Sequence, residues 1–191
     1  MPLTTQAQLT TLRNAIEAET DPVFVSYRNE GATGLMAQWF NLPTSPAHVV
    51  WSTNAEVNSL LDAIAFDQYT PSQQPSDATA AISSARLLAI QTKQMNLQNM
   101  TIGRERINCS RNRVREGLLD AVLNIPSGNN GALRSAAGAD GIRLLNAMTR
   151  AALRGERIFA TTSSTTGVLT AFNLGYEGII TDQDVVLALN S

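Results

Sequence analysis

The sequence predicts an all-α protein: a helical bundle over residues 1–160, then an extended, poorly regular C-terminal arm over 161–191 with a short terminal helix. Three observations predict it. Apolar residues recur at helical spacing along several segments, most clearly at Val57, Leu60, Leu61 and Ile64. Breaker-rich stretches separate these stripes: "DQYTPSQQPSD" with Pro71 and Pro75, and Pro126 followed by "SGNNG". After Ala160 the helical pattern gives way to the small polar run "TTSSTTG", which buries too little apolar area to hold itself in a bundle.

The elements follow in order. Thr4 or Thr5 caps a first helix with Leu9, Leu12 and Ile16 on one stripe, ending before Asp21-Pro22. "GLMAQWFN", from Gly34, forms a short apolar helix around Trp39 and Phe40, and "TSPAHVVW" is extended because Pro46 and the pair Val49-Val50 favour it. Thr53 with Glu56 fits a capping box ahead of the Val57 stripe. Ser76 or Asp77 caps a longer helix through "ATAAISSARLLAIQTKQMNLQ", with Ile82, Ala85, Leu88, Ala89 and Met95 toward the core. A helix from about Arg111 to Ile125 turns Val114, Leu118, Val122 and Ile125 inward. "GIRLLNAMTRAALRGERIFA" reads as the last long helix, with Ile142, Leu145, Met148 or Thr149, and Ala152 in register. Thr181 or Asp182 caps the terminal helix of "NLGYEGIITDQDVVLAL".

A chain of 191 residues has room for a real core, and 16% charged residues argue against a coiled coil or a disordered tail. No apolar run approaches the roughly 18 residues that span a membrane, and the mixed N-terminus lacks the pattern of a signal peptide. The single Cys109 excludes an internal disulfide and points to a reducing site of synthesis. The net charge of −2 hides an asymmetry. Residues 1–80 hold eight acids and two bases, residues 81–160 twelve bases and five acids, and residues 161–191 three acids and no base. Thirteen of the fourteen bases are Arg, whose fork suits carboxylates, phosphates and protein interfaces. Pairing within the chain, head-to-tail complementarity between copies, and nucleic acid all remain open on this ground.

No catalytic, cofactor or metal constellation is legible. Any Ser-His-Asp or Cys-His site must use His48, the only histidine, which reads better as a surface or core polar residue. One Cys and one His give no ligand cluster, and Asp182 and Asp184 read as helix-N-terminal charges favoured by the dipole. "GNNGALRS" lacks the Gly-Lys-Ser/Thr that grips phosphates and reads as a turn with a helix start. The conspicuous feature is "GRERINCSRNRVRE", with Arg104, Arg106, Arg111, Arg113 and Arg115. Glu116 and Asp120 can pair locally with Arg113 or Arg115, giving a solvated face; a subunit interface and a phosphate contact are the other readings.

Three stretches carry a resemblance: "NRVREGLLDAVLN" (112–124), "RAALRGERIFAT" (150–161) and "TTGVLTAFNLGYEGIITDQDV" (165–185), with Leu3 to Leu12 and Val50-Trp51 ahead of them. They are similar to a family of small tailed-bacteriophage virion proteins, the head-to-tail adaptor or neck (connector) proteins. Phe159-Ala160-Thr161, Tyr176-Glu177-Gly178 and Asp184-Val185 match that family's ending, while residues 68–100 depart from its pattern. The resemblance implies a structural protein at the head-tail junction of the virion, made in the host bacterial cytoplasm. Its implied partners are further copies in a dodecameric ring, the portal, a tail or other neck protein, and packaged DNA passing without sequence readout. A capsid decoration or head-completion protein is the alternative, with an enzyme or free DNA-binding protein behind it. On this reading the candidate contacts to a neighbour or the portal are Arg104, Arg106, Arg111, Arg113, Arg115, Arg154, Arg157, Phe172, Tyr176, Glu177, Ile179 and Ile180. The C-terminal arm is expected to pack on another chain.

Overall fold

The computed structural model describes residues 3–64, 66, 80–123, 126–127, 132–133 and 139–191. Among these the chain forms α1 (Gln6–Ala18), α2 (Pro22–Asn29), α3 (Thr33–Phe40), β1 (Val49–Trp51), β2 (Ala55–Glu56), α4 (Val57–Asp62), α5 (Ala80–Thr101), β3 (Arg106–Ile107) and α6 (Asn112–Val122). There follow β4 (Pro126–Ser127), β5 (Ala132–Leu133), α7 (Ala139–Ala147), β6 (Thr149–Ala151), α8 (Arg154–Ile158), β7 (Ala160–Thr166), β8 (Leu169–Leu174) and α9 (Asp182–Leu189). Four strands lie side by side in the order β6-β1-β8-β7, with β1 parallel to β8 at Val50 and Phe172. β2–β3 and β4–β5 are separate antiparallel pairs. The expected all-α class is overturned: the fold is α/β, with a four-stranded mixed sheet.

The physical reason is strand length. β1 and β6 have three residues each and β2 to β5 two, too few for a two-residue alternation to register. The Ser/Thr run, expected to be loose, is one strand of the β7–β8 hairpin. Threonine is β-branched and fits an extended backbone. The turn passes through Gly167, whose φ of 57° a side chain would resist. The Thr165 and Thr170 hydroxyls meet at 2.8 Å, and the Thr161 hydroxyl donates to the Asn173 carbonyl at 3.0 Å. Residues 141–160, expected as one long helix, break around β6 for the same kind of reason. The Ser52 N–H donates to the Met148 carbonyl at 2.9 Å and the Ala152 N–H to the His48 carbonyl at 2.8 Å, so long-range pairing replaces helical bonds there.

The chain divides into two compact units, and not at residue 160. The first comprises Met1–Val50, Ala151–Ser163 and Phe172–Ser191; the second comprises Trp51–Arg150 and Ser164–Ala171. In the first unit Thr5 and Gln8 form a reciprocal capping box that starts α1, and Asp21 accepts the Val23 N–H to start α2 behind Pro22. The α1 stripe buries Leu12 and Ile16, as its spacing predicts. These pack with Phe24, Met36, Phe40, Tyr176, Ile180 and Val185, each worth about 1.5–3 kcal/mol on burial. The late apolar set thus finds its cover on α1 and α3 of its own chain rather than leaving as an arm. Asn41 clamps the approach to α9, donating to the Ile180 carbonyl at 2.8 Å and accepting the Ile180 N–H at 2.9 Å. Gly155 permits this closeness, since a Cβ there would lie 2.7 Å from Ile180 Cγ1.

The second unit buries Trp51, Leu60, Ile90, Leu97, Leu118, Val122, Leu144 and Leu145 in one core. Of the stripe residues expected to meet, Val57, Leu60, Ile64, Leu118, Val122 and Leu145 are buried, Leu61 and Val114 half-buried, and Ile142 exposed. The α5 expectation fails: Leu88 and Met95 are exposed while Ile90 and Leu97 are buried. Apolar residues lie all round α5, so its periodicity selects no face. No capping box joins Thr53 and Glu56, because β2 pairs with β3 (Ala55 with Ile107, Glu56 with Arg106) and α4 starts only at Val57. The expected helix start at "GNNGALRS" is β5 instead at Ala132–Leu133. The 67–77 loop, its cap at Ser76 or Asp77, Ile125 and most of "SGNNG" lie outside the described residues, as do the side chains of Ile82 and Ala85.

Candidate functional site

The five arginines of residues 104–115 separate into one buried and four exposed. Arg115 sits on the inner face of α6 with Leu118, Leu119 and Val122, three, four and seven residues along, and has no solvent exposure. Its guanidinium lies 4.1 Å over the Trp51 ring. Nε donates to the Thr166 hydroxyl at 2.8 Å, Nη1 to the carbonyls of Cys109 and Ser110 at 2.8 Å each, and Nη2 to Asn112 Oδ1 and Ser164 Oγ at 3.0 Å each. The Trp51 indole also donates to Ser164 Oγ, at 2.9 Å. Burial lowers the Arg115 pKa, against a smaller opposite pull from Cys109 and Glu116. Every acceptor around the cation is neutral. Five directed bonds, rather than a counter-ion, compensate its desolvation. Arg115 is therefore no surface fork: it ties α6 to Trp51 and to residues 164–166.

Cys109 beside it is buried, and burial pushes its thiol up to about 11. It stays protonated at neutral pH and is a poor nucleophile.

Arg104, Arg106, Arg111 and Arg113 are exposed. Among the described residues none of them forms an ion pair; Glu116 instead accepts from Asn112 at 2.6 Å, and Asp120 pairs with Lys93 at 3.0 Å. Arg104 and Arg106 border a cleft of about 370 Å³ with Glu56, Asn58 and Glu105. Arg111 is the N-cap of α6 and Arg113 lies in its first turn, which carries no acid. Cations at that end oppose the helix dipole, at about 0.3–1 kcal/mol each when exposed. Glu56 and Glu105 thus lie beside Arg104 and Arg106 without closing an ion pair, while Arg111 and Arg113 present positive charge at the start of α6.

The remaining candidates belong to the first unit. Tyr176 and Ile180 are core residues, with the Tyr176 hydroxyl donating to the Ile179 carbonyl at 2.8 Å. Burial first, then Asp184 and Glu156, raise the Tyr176 pKa. Ile179 is 58% exposed, Glu177 is half-buried, and Phe172 stacks on His48 with ring centroids 4.2 Å apart. Burial, and secondarily Arg157, lower the His48 pKa. Arg154 and Arg157 line a cavity beside Trp39.

Sequence reasoning missed the structural weight of two acids. Asp184, fully buried, accepts the Leu3 N–H at 2.9 Å, the Thr181 N–H at 2.8 Å and the Thr181 hydroxyl at 2.6 Å. Glu156, also buried, accepts the Leu153 N–H at 2.9 Å and the Gly178 N–H at 3.2 Å. Thr181 three residues ahead of Asp184 was the available signal for the first; Gly178 is too remote from Glu156 in sequence to give one for the second.

Among the described residues no group of three or more His, Cys, Asp or Glu is placed to hold a metal ion, and no helix is long and apolar enough to cross a membrane. No protein-family model, curated protein or solved structure matches the chain.

Proposed function

We propose that this protein is a structural component of a tailed-phage virion, a head-to-tail adaptor that assembles into a ring below the portal, extends the DNA channel and docks the tail. One observation carries the reading: the exposed arginines Arg104, Arg106, Arg111 and Arg113, none of them in an ion pair among the described residues and two of them at the positive end of α6. Such a set favours an acidic partner surface. A second copy supplies one. The first unit holds eight acids, six of them outside the buried pair Glu156 and Asp184, against four bases; the second holds ten bases, one of them the buried Arg115, against eight acids. A head-to-tail contact of the first unit on the second unit of the next copy satisfies both, and repetition of one heterologous contact closes a ring when its rotation allows. The resemblance of Phe159-Ala160-Thr161, Tyr176-Glu177-Gly178 and Asp184-Val185 to neck proteins supports the virion setting. Ring, portal and tail are partners on this reading; packaged DNA is a passing one.

The test is sedimentation velocity and mass photometry of the full chain, alone and with portal. Wild-type protein is expected to assemble with a strong dependence on salt. The double variant Arg111→Glu, Arg113→Glu is expected to stay monomeric at an unchanged melting temperature, because both side chains are exposed. A double variant that assembles like wild type contradicts the reading. If it assembles but loses a steeply salt-dependent affinity for duplex DNA, the arginines face the genome instead.

A further inference from the structure

The first unit contains a cavity of about 500 Å³ whose walls include Glu19, Asp21, Trp39, Ser45, Arg154 and Arg157. That volume suits a small organic ligand. The Arg154 Cζ lies over the Trp39 ring, 3.7 Å from its centroid. Arg154 forms no ion pair among the described residues, and its Nη1 and the Trp39 Nε1 are buried without a hydrogen-bond partner among them. Buried donors are almost always paired, so two orphans on residues that line one cavity mark a missing acceptor. Arg157, one helical turn from Arg154, adds a second positive charge to the lining.

The acids of the lining do not fill this need. Glu19 Oε1 accepts the N–H groups of Thr20 and Asp21 at 2.9 and 3.0 Å, and Asp21 Oδ1 accepts the Val23 N–H at 2.9 Å. Their charge instead discourages polyanions, since a phosphate would share the cavity with two carboxylates. Phe40 and Ile158 give the lining an apolar part. We propose that this cavity binds a monocarboxylate with an apolar body, its carboxylate taken by the Arg154 fork and the Trp39 N–H. The site is independent of ring assembly. The same chemistry is offered by a free organic acid and by the C-terminal carboxylate of a peptide ending in an apolar residue.

Titration calorimetry on the full chain, with tryptophan fluorescence as a second readout, tests this with sodium 4-phenylbutyrate and with N-acetyl-Leu-Phe. The expected Kd is on the order of 0.1–1 mM. Arg154→Gln is expected to weaken binding about tenfold at an unchanged melting temperature. The methyl ester of either acid is expected not to bind, and inorganic phosphate not to compete. Tighter binding of the peptide acid assigns the site to a chain terminus; equal or weaker binding assigns it to a free acid. Absence of saturable binding by both acids overturns the proposal, as does an Arg154→Gln variant that binds like wild type. If that variant melts early, the ester decides: an ester that binds as well as its acid also overturns it.

Discussion

Arg115 in the second unit and Asp184 in the first are both fully buried charges, and they are held in opposite ways. Asp184 is mainly a local device, with a single distant partner in Leu3. Two of its three hydrogen bonds come from Thr181, and the dipole of α9 favours an acid in the first turn. Arg115 is a long-range device, with partners from residue 51 to residue 166 and an aromatic face beneath it. A carboxylate can be satisfied by the chain around it, whereas a guanidinium with five donors needs acceptors gathered from several segments. Removing one should loosen a helix end; removing the other should loosen a whole unit.

The largest effect is therefore expected at Arg115. Arg115→Ala leaves Thr166, Ser164, Asn112 and two carbonyls without their donor and opens space beside Trp51, at a cost of about 3–5 kcal/mol. Arg115→Lys should recover little of it, because an ammonium cannot reproduce the fork. Urea unfolding measures both. A Lys variant as stable as wild type would mean that charge alone matters there. Asp184→Asn comes next, at about 1–2 kcal/mol, since the amide keeps one acceptor but loses the charge. Equal losses at the two positions would erase the contrast drawn between them.

This contrast also marks what the sequence could show. Asp184 was readable as a helix-N-terminal charge because its cap lies three residues away. Arg115 looked like a fork among forks, since Arg111 and Arg113 share its segment. The distinguishing clue was its spacing to Leu118, Leu119 and Val122, which places it on the apolar stripe of α6; its acceptors at 164–166 have no sequence signature. The α1, α4 and α6 stripes were legible for the ordinary reason that amphipathic helices repeat. Of the sheet only β1 was legible, through the β-branched pair Val49-Val50; β6 is too short to carry a period, and the polar Ser/Thr run of β7 shows no apolar alternation. The cavity was illegible too: Trp39 and Arg154 stack across more than a hundred residues of sequence.

The smallest effect concerns His48. Its pKa lies below the ordinary 6.5, through burial and then Arg157. As pH falls through about 6.5 the unfolded chain takes up a proton that the folded chain resists. Stability attributable to His48 is thus fully present above that pH and declines below it. His48→Gln should flatten this part of the stability profile while leaving the plateau above pH 7 nearly in place. A wild-type profile that instead rises on acidification through this window would reverse the sign and contradict the burial argument.

The separation of one structural arginine from four outward ones is tested most directly on the unmodified protein. Phenylglyoxal labels accessible guanidinium groups, and peptide mass spectrometry reads each position. Arg104, Arg106, Arg111 and Arg113 are expected to label rapidly in the monomer and to become protected on assembly, while Arg115 labels only as the second unit unfolds. Labelling of Arg115 at the rate of Arg111 in folded protein would contradict the account.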